Sequence, residues 1–283
     1  MAQGYRLIEH FLFPPTSFRM ERLRAAVGGK SILLTGASYG IGETLAMRLG
    51  EAGARLILVG RTEEKLLEVQ LAIQAVGGEA EIFVADLRDT AAVESLIAFI
   101  RSRPQGLDIF VNNAGKSIRR SIFDSLDRLH DFERTMALNY HAPVQLCLGL
   151  MPLLVASRGQ IINISALNVL LAPAPKWAAY QASKTAFDQW LRSVGPEVWA
   201  KGVSTCSIYL PLVRTRMIEP TEQYKNAPAM STEHVARIVG KCIYKRRRRH
   251  KPWWLIFPEL GSVMGRRLWE RISLRKIQRS SDV

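Results

Sequence analysis

A tyrosine and a lysine stand four residues apart in Tyr180-Gln181-Ala182-Ser183-Lys184. On a helix they share one face, and an ammonium held beside a phenol lowers the phenol's pKa towards neutrality. A phenol so tuned can give a proton to a carbonyl oxygen while a hydride arrives at the carbon. Ser165, at the end of Ile161-Ile162-Asn163-Ile164-Ser165, could offer that oxygen a second hydrogen bond. Asn139 lies in an otherwise helical stretch from Phe132 to Leu154, where a buried amide needs partners. Any one of these residues alone is ordinary structure. Their order along the chain carries the information.

Hydride chemistry needs a carrier, and the elements that would hold one can be read. Thr35-Gly36-Ala37-Ser38-Tyr39-Gly40-Ile41-Gly42 follows a strand, Ser31 to Thr35, and opens a helix, Gly42 to Ala52. Its three glycines let the backbone turn tightly, approach a pyrophosphate and pack the helix close to the strand. Gly36, Ser38, Tyr39, Gly40, Ile41 and Gly42 are therefore the candidate lining. The second strand, Arg55 to Val59, runs into Gly60-Arg61-Thr62, with no acid before Glu63. An NAD site places a carboxylate there for the ribose 2′-hydroxyl. Arg61 suits a 2′-phosphate instead, which favours NADP(H). The plainer alternative pairs Arg61 with Glu63 or Glu64.

Further strands are expected at Ala80 to Val84, Asp108 to Val111, Gln160 to Ser165, Val203 to Tyr209 and Trp253 to Phe257. Helical stretches lie between them, including Glu63 to Val76 and Tyr180 to Trp199. Such alternation predicts an α/β fold: a Rossmann-type, doubly wound, mostly parallel seven-stranded sheet with helices on both faces.

The 283 residues, 48% hydrophobic and 23% charged, have the balance of a folded chain and exclude disorder, collagen and coiled coil. No run approaches the ~18 consecutive apolar residues of a membrane span. Glu9, His10 and Pro14-Pro15 interrupt the N-terminal apolar run, so no secretory signal is read and a cytoplasmic protein is expected. Cys147, Cys206 and Cys242 have neither disulfide nor metal-site spacing, so no metal is expected. The net charge of +14 is uneven: 13 Lys or Arg but only 3 acids fall between Lys241 and Val283. The run Lys245 to Lys251 invites a nucleic-acid reading, but clustered charge alone is cheap. Beyond it Leu260, Met264, Leu268 and Ile272 recur every fourth position among Arg266, Arg267, Arg271, Arg275 and Lys276. A basic amphipathic helix suits an anionic membrane surface, so no nucleic acid is expected and peripheral binding is. The same stripe could instead cover the protein's own core or a subunit interface.

Taken in order, TGASYGIG, Asp86-Leu87, Asn112-Asn113-Ala114-Gly115, Asn139, Ser165 and YQASK resemble the short-chain dehydrogenase/reductase superfamily. The likeness covers residues 28–260, leaving 1–27 as an extension and 261–283 as a basic tail. It implies Tyr180 as proton donor, and Lys184 lowering its pKa while holding the nicotinamide ribose. Ser165 would polarise the carbonyl and Asn139 hold a proton-relay water. Asp86 and Leu87 would border adenine, Asn113, Ala114 and Gly115 the adjoining ribose, and Pro211, Val213 and Thr215 the carboxamide. Where the family often has Pro-Gly, this chain reads Pro211-Leu212.

Other blocks, among them Asn113 to Arg120, His130 to Met136, Ser207 to Thr215, Met217 to Thr221 and Tyr224-Lys225, look like bacterial fatty acyl-CoA reductases. That likeness implies NADPH-dependent reduction of long-chain acyl-CoA to aldehyde. The alternative is a ketone or aldehyde reductase acting on 3-oxoacyl or other lipophilic carbonyls; a nucleotide-sensing scaffold would not need the proton donor. Leu167 to Leu171, Trp177, Met217 and Ile218 would line an apolar substrate site. Arg119, Arg120, Arg214 and Arg216 would meet CoA phosphates, unless Arg119 and Arg120 pair with Asp124, Asp127 or Asp131. Relatives imply a homo-dimer or homo-tetramer through the helices after the fourth and fifth strands.

Overall fold

The computed structural model describes residues 5–219, 224 and 226–281. Its centre is one parallel sheet of seven strands: β1 (Ser31–Thr35), β2 (Arg55–Gly60), β3 (Glu79–Val84), β4 (Ile109–Asn112), β5 (Gln160–Ala166), β6 (Ser204–Leu210) and β7 (Arg249–His250). They lie in the order β3-β2-β1-β4-β5-β6-β7. Period-two alternation sorts the apolar side chains to two cores. Ile32, Leu34, Leu56, Leu58, Ile162 and Ile164 point to one face, and Leu33, Ile57, Val59, Phe110 and Ile161 to the other.

The first face is covered by α2 (Met20–Val27), α3 (Gly40–Glu51), α4 (Glu63–Ala75) and α9 (Thr232–Lys245). The second is covered by α5 (Thr90–Arg101), α7 (Ala142–Ala156) and α8 (Ala178–Ala200). A short α1 (Leu7–Leu12) precedes α2, α6 (Leu129–Met136) leads into α7, and α10 (Ile256–Met264) and α11 (Arg266–Ser281) close the chain. The run Leu129–Ala156 is long and apolar enough to cross a membrane by length and composition. Here Leu146, Cys147, Leu150 and Leu154 of it are buried in the second core.

Three expectations change. The seventh strand is Arg249–His250, pairing with Ser207 and Ile208, and not Trp253 to Phe257. Pro252, without an N–H, cannot extend the ladder, and Trp253–Leu255 and Ile256–Met264 are helical instead. The helix foreseen from Phe132 to Leu154 starts at Leu129 and widens into a π-helical turn at Ala137–His141. Pro143 cannot donate to the Asn139 carbonyl four residues back, so the regular ladder is broken there. The C-terminal stripe is split at Gly265 into α10 and α11.

Half of the cations of the basic run are taken up by the fold. Arg246 donates to the carbonyls of Arg158, Gly159 and Gly202; Arg248 stacks 3.8 Å over Trp199; Lys251 pairs with Glu259.

Candidate active site

The crossover direction reverses between β1 and β4, and their carboxyl ends open the crevice in which such sheets bind ligands. Thr35 at the end of β1 ties the two sides together. Its hydroxyl donates to the Val111 carbonyl at 3.3 Å and accepts from the Asn113 and Ala114 amides, each at 3.1 Å. Asn113 donates to the carbonyls of Thr35 at 3.0 Å and Gly36 at 2.9 Å, so its amide secures the glycine turn.

Gly36 and Gly40 have φ of 67° and 59°, which L side chains rarely adopt. A Cβ on Gly42 would collide with the Gly36 carbonyl, so this glycine fits helix to strand. Within the turn, whose Gly36 and Gly40 carry no side chain, the buried Ser38 hydroxyl has no hydrogen-bond partner. That orphaned donor and the empty glycine surface fit a phosphate-bearing ligand. Ile41 is half-buried, and Tyr39 lies under the Arg216 guanidinium, 4.5 Å from its ring centroid.

Arg61 is exposed at the end of β2 and makes no ion pair with Glu63, Glu64 or any other described residue. It acts on the charge of Asp86 and Lys116. Asp86 is occupied by Arg88, whose hydrogen bonds, with its charge, hold the carboxyl below its usual range against partial burial. Leu87 is buried in the second core, so its side chain faces the sheet. Arg88 and Lys116 join Arg61 in one positive field; sequence reading missed both, for want of any spacing that links them.

Tyr180, Ser183 and Lys184 project from the first turns of α8. Lys184 is buried and its ammonium donates to the Ile164 carbonyl at 3.1 Å, one residue before Ser165. A Cβ on Gly115 would lie 3.1 Å from the Lys184 Nζ and 3.3 Å from the Asn139 Oδ1, so glycine is what lets these groups converge. Burial pulls the lysine pKa down to about 8. Burial, then Tyr224, pushes the Tyr180 phenol up to about 12. The ammonium of Lys184, which donates to the Ile164 carbonyl, does not act on the phenol in this arrangement.

Asn139 is buried on the π-helical turn with every polar bond made inside the protein. Its Oδ1 accepts from the Lys116 amide at 2.9 Å, and its Nδ2 donates to the Lys116 carbonyl and the Ser183 Oγ, both at 3.0 Å. Its side chain thus locks the segment after β4 to α8, while its backbone carbonyl lacks the N–H that Pro143 cannot supply. Ser165 is the opposite case: buried, 4% exposed, with a hydroxyl that has no partner.

After β6, Val213 bridges to Met230, and Thr215 lies against Gly40, bringing Pro211 to Thr215 back to the glycine turn. Leu212 does not adopt a positive φ, so leucine in place of glycine causes no strain. The segment after β5 is held by Gln181, which accepts from the Ala174 amide at 2.9 Å and donates to the Asn168 carbonyl at 2.6 Å. Trp177 sits 5.8 Å from Tyr180 and stacks on Tyr224 at 6.4 Å, an aromatic wall beside the phenol. Met217 is exposed; Pro220, Thr221 and Lys225 lie outside the described residues.

Three of the four arginines assigned to CoA phosphates are engaged elsewhere. Arg120 pairs with buried Asp131, as do Arg128 and Arg134. Arg214 reaches Glu9 of α1 at 2.5 Å, and Arg216 covers Tyr39. Arg119 remains exposed. Glu9 is fully buried; its burial opposes ionisation, but the amides of Ala229 and Arg6 together with Arg214 bring its pKa down to about 2. No motif marked Glu9, because Arg214 and Ala229, which engage its Oε1, lie more than 200 positions away.

The reversed crossover, the glycine turn and the lysine-bearing helix define a dinucleotide-binding α/β protein. The chain belongs to the short chain dehydrogenase family, which it matches over residues 30–226. It is 48% identical over 227 residues to a fatty acyl-CoA reductase of Acinetobacter baylyi, covering 80% of this chain and 77% of that one. It is 42% identical over 209 residues to a fatty acyl-CoA reductase of Mycobacterium tuberculosis, covering 74% and 71%. Among solved structures, a metagenomic short-chain oxidoreductase in complex with NADP is 28% identical with a TM-score of 0.67, over 77% of this chain and 92% of that one.

Proposed function

We propose that this oxidoreductase uses NADPH to reduce a long-chain acyl-CoA thioester to the fatty aldehyde. The observation that carries the reading is the buried, unpartnered hydroxyl of Ser165 beside a carbonyl claimed by Lys184, together with the 48% likeness to an acyl-CoA reductase. Residues 28–260 carry the chemistry, with 1–27 and 261–283 as flanking elements.

Bound NADPH would supply a hydride to the carbonyl carbon. Gly36, Ser38, Tyr39, Gly40, Ile41 and Gly42 would receive its pyrophosphate, and Arg61 its 2′-phosphate. Asp86 and Leu87 would flank the adenine through their backbone, and Asn113 to Gly115 the ribose. Pro211, Val213 and Thr215 would face the carboxamide, while Lys184 turns from the Ile164 carbonyl towards the nicotinamide ribose. Ser165 donates to the substrate oxygen as negative charge develops there, and Tyr180 gives it a proton. Collapse of the resulting hemithioacetal expels the thiolate of CoA, which takes up a proton. Cys147, Cys206 and Cys242 are all buried, which favours direct hydride attack over a covalent thioester. Asn139 would position Lys116 and Ser183 through its side chain and hold a proton-relay water at its backbone carbonyl. The enzyme would work in the cytoplasm, peripheral to the inner face of the membrane through its basic C-terminus. A homo-dimer or homo-tetramer through α7 and α8 fits the exposure of Leu148.

The test is NADPH oxidation with palmitoyl-CoA, a 3-oxoacyl thioester and a medium-chain ketone, with free thiol followed in parallel. Thiol release with aldehyde formation is the expected result. Oxidation without thiol release assigns the chain to ketone or aldehyde reduction, and no oxidation with any of them removes the reading. Arg61→Glu should weaken NADPH far more than NADH; an equal effect on both removes Arg61 from the 2′-phosphate.

A further inference from the structure

Large apolar side chains are exposed very unevenly. Of 25 such residues among the described ones, 14 fall within 7–11 and 253–277. No residue of α10 is buried; its Met264 is 86% exposed, as Leu7 of α1 is 91% exposed. The two segments meet at Phe11 and Leu12 on one side and Trp253 and Trp254 on the other. The rings of Phe11 and Trp253 meet edge to face at 5.3 Å, Trp253 donates to the Phe11 carbonyl at 3.3 Å, and Trp254 to the Leu12 carbonyl at 3.1 Å.

Beside this face α11 exposes Arg266, Arg267, Arg271 and Arg275 next to Leu268, Trp269 and Ile272. The acids nearby are already engaged, Glu259 with Lys251 and Glu270 with Arg266. A self-complementary apolar interface is depleted in unpaired charge, whereas apolar side chains bordered by arginines match an anionic lipid surface.

The face is tied to the segment after β5. The Ala172 amide donates to the Ser262 Oγ of α10, and Trp269 of α11 donates to the Pro173 carbonyl, both at 2.9 Å. On the other side of the same segment Gln181, next to Tyr180, holds Ala174 and Asn168. We infer that α1, α10 and α11 together dock on an anionic bilayer, and that docking, transmitted through Ser262–Ala172 and Trp269–Pro173, governs how residues 167–177 admit a lipophilic substrate from that bilayer. What the segment admits rests on the acyl-substrate reading above; the docking does not.

The full chain is tested with vesicles of phosphatidylcholine alone or with phosphatidylglycerol. Sedimentation should be at least about tenfold greater with the anionic vesicles and fall at high salt. Met264→Glu, at a fully solvated position, should abolish it with the melting temperature unchanged. Trp269→Phe with Ser262→Ala should still sediment, yet lose the protection from hydrogen exchange that vesicles confer on residues 167–177. No anionic preference, or Met264→Glu converting a dimer to a monomer without changing sedimentation, overturns the docking. Exchange in 167–177 that ignores vesicles overturns the coupling. Sedimentation and protection that persist in a chain inert towards acyl-CoA would sink the substrate reading alone.

Discussion

The crevice at the carboxyl ends of β1, β4 and β5 and the face built by the two chain ends fail their solvent rules in opposite ways. In the crevice Asn113, Asn139 and Lys184 find partners, yet the hydroxyls of Ser38 and Ser165 are buried without any. On the terminal face apolar side chains such as Met264 and Phe257 stand in water without cover. An unpaired polar group inside and an uncovered apolar group outside are both unfavourable for a chain by itself. Each therefore marks a place where something else completes the surface. On the readings proposed above, what completes them differs: a ligand would supply hydrogen bonds in the crevice, and a bilayer a low-dielectric layer at the face.

The strongest way to break the crevice half of this contrast is Tyr180→Phe. It should lower turnover by about 10³-fold in steady-state kinetics while leaving dinucleotide binding intact. Undiminished turnover would remove the phenol from the reaction.

Lys184 gives a pH signature. Its folded pKa of about 8 lies below the value of 10.5 for the free side chain, so the unfolded chain holds more protons between those values. Its penalty is fully present below pH 8 and is relieved as the pH rises towards 10.5, by about 3 kcal/mol at most. Denaturant unfolding should show this rise in the native chain and its absence in Lys184→Met.

Ser165→Ala sharpens the point about orphaned groups. The rate should drop about 10²-fold, the scale of a lost oxyanion donor. The unfolding free energy should stay level or increase, because no internal hydrogen bond is lost. A clear loss of stability would mean that the hydroxyl is a structural partner after all.

The smallest effect concerns the join between the two regions. Glu9→Gln weakens the hold of α1 on Arg214 and should lower stability at neutral pH by about 1.5–3 kcal/mol, the range for hydrogen bonds to a charged group. Because the Glu9 pKa is depressed to about 2 from 4.5, its contribution is present above pH 4.5 and lost as the pH falls towards 2. The variant should therefore show a shallower acid limb in equilibrium unfolding.

Six of the seven strands and the glycine turn were legible because each is local. A β-branched run buried on both faces and a turn that only glycine can make leave their marks within a few residues. The order Asn139, Ser165, Tyr180, Lys184 was equally plain, and the fold brings the last three of these to the end of β5 and the start of α8. What each does was less so. Asn139 was read as a water holder, and tertiary contacts add that its side chain clamps Lys116 and Ser183. The lowering of the Tyr180 pKa needs the Lys184 ammonium beside the phenol, and here that ammonium is held at the Ile164 carbonyl. The aromatic run at 253–257 looked like a strand, because local apolar content does not distinguish a short strand from a short helix.

Residue types and their spacing thus determined the sheet, the glycine turn and the shared helix face of phenol and amine, since all three follow from local backbone geometry. Only the assembled chain decided which polar groups remain unpaired, that Arg214 pairs with Glu9, and that the segments 7–12 and 253–264, both rich in exposed apolar side chains, meet. Those outcomes depend on desolvation and on contacts between residues far apart in sequence, and neither is written in a local pattern.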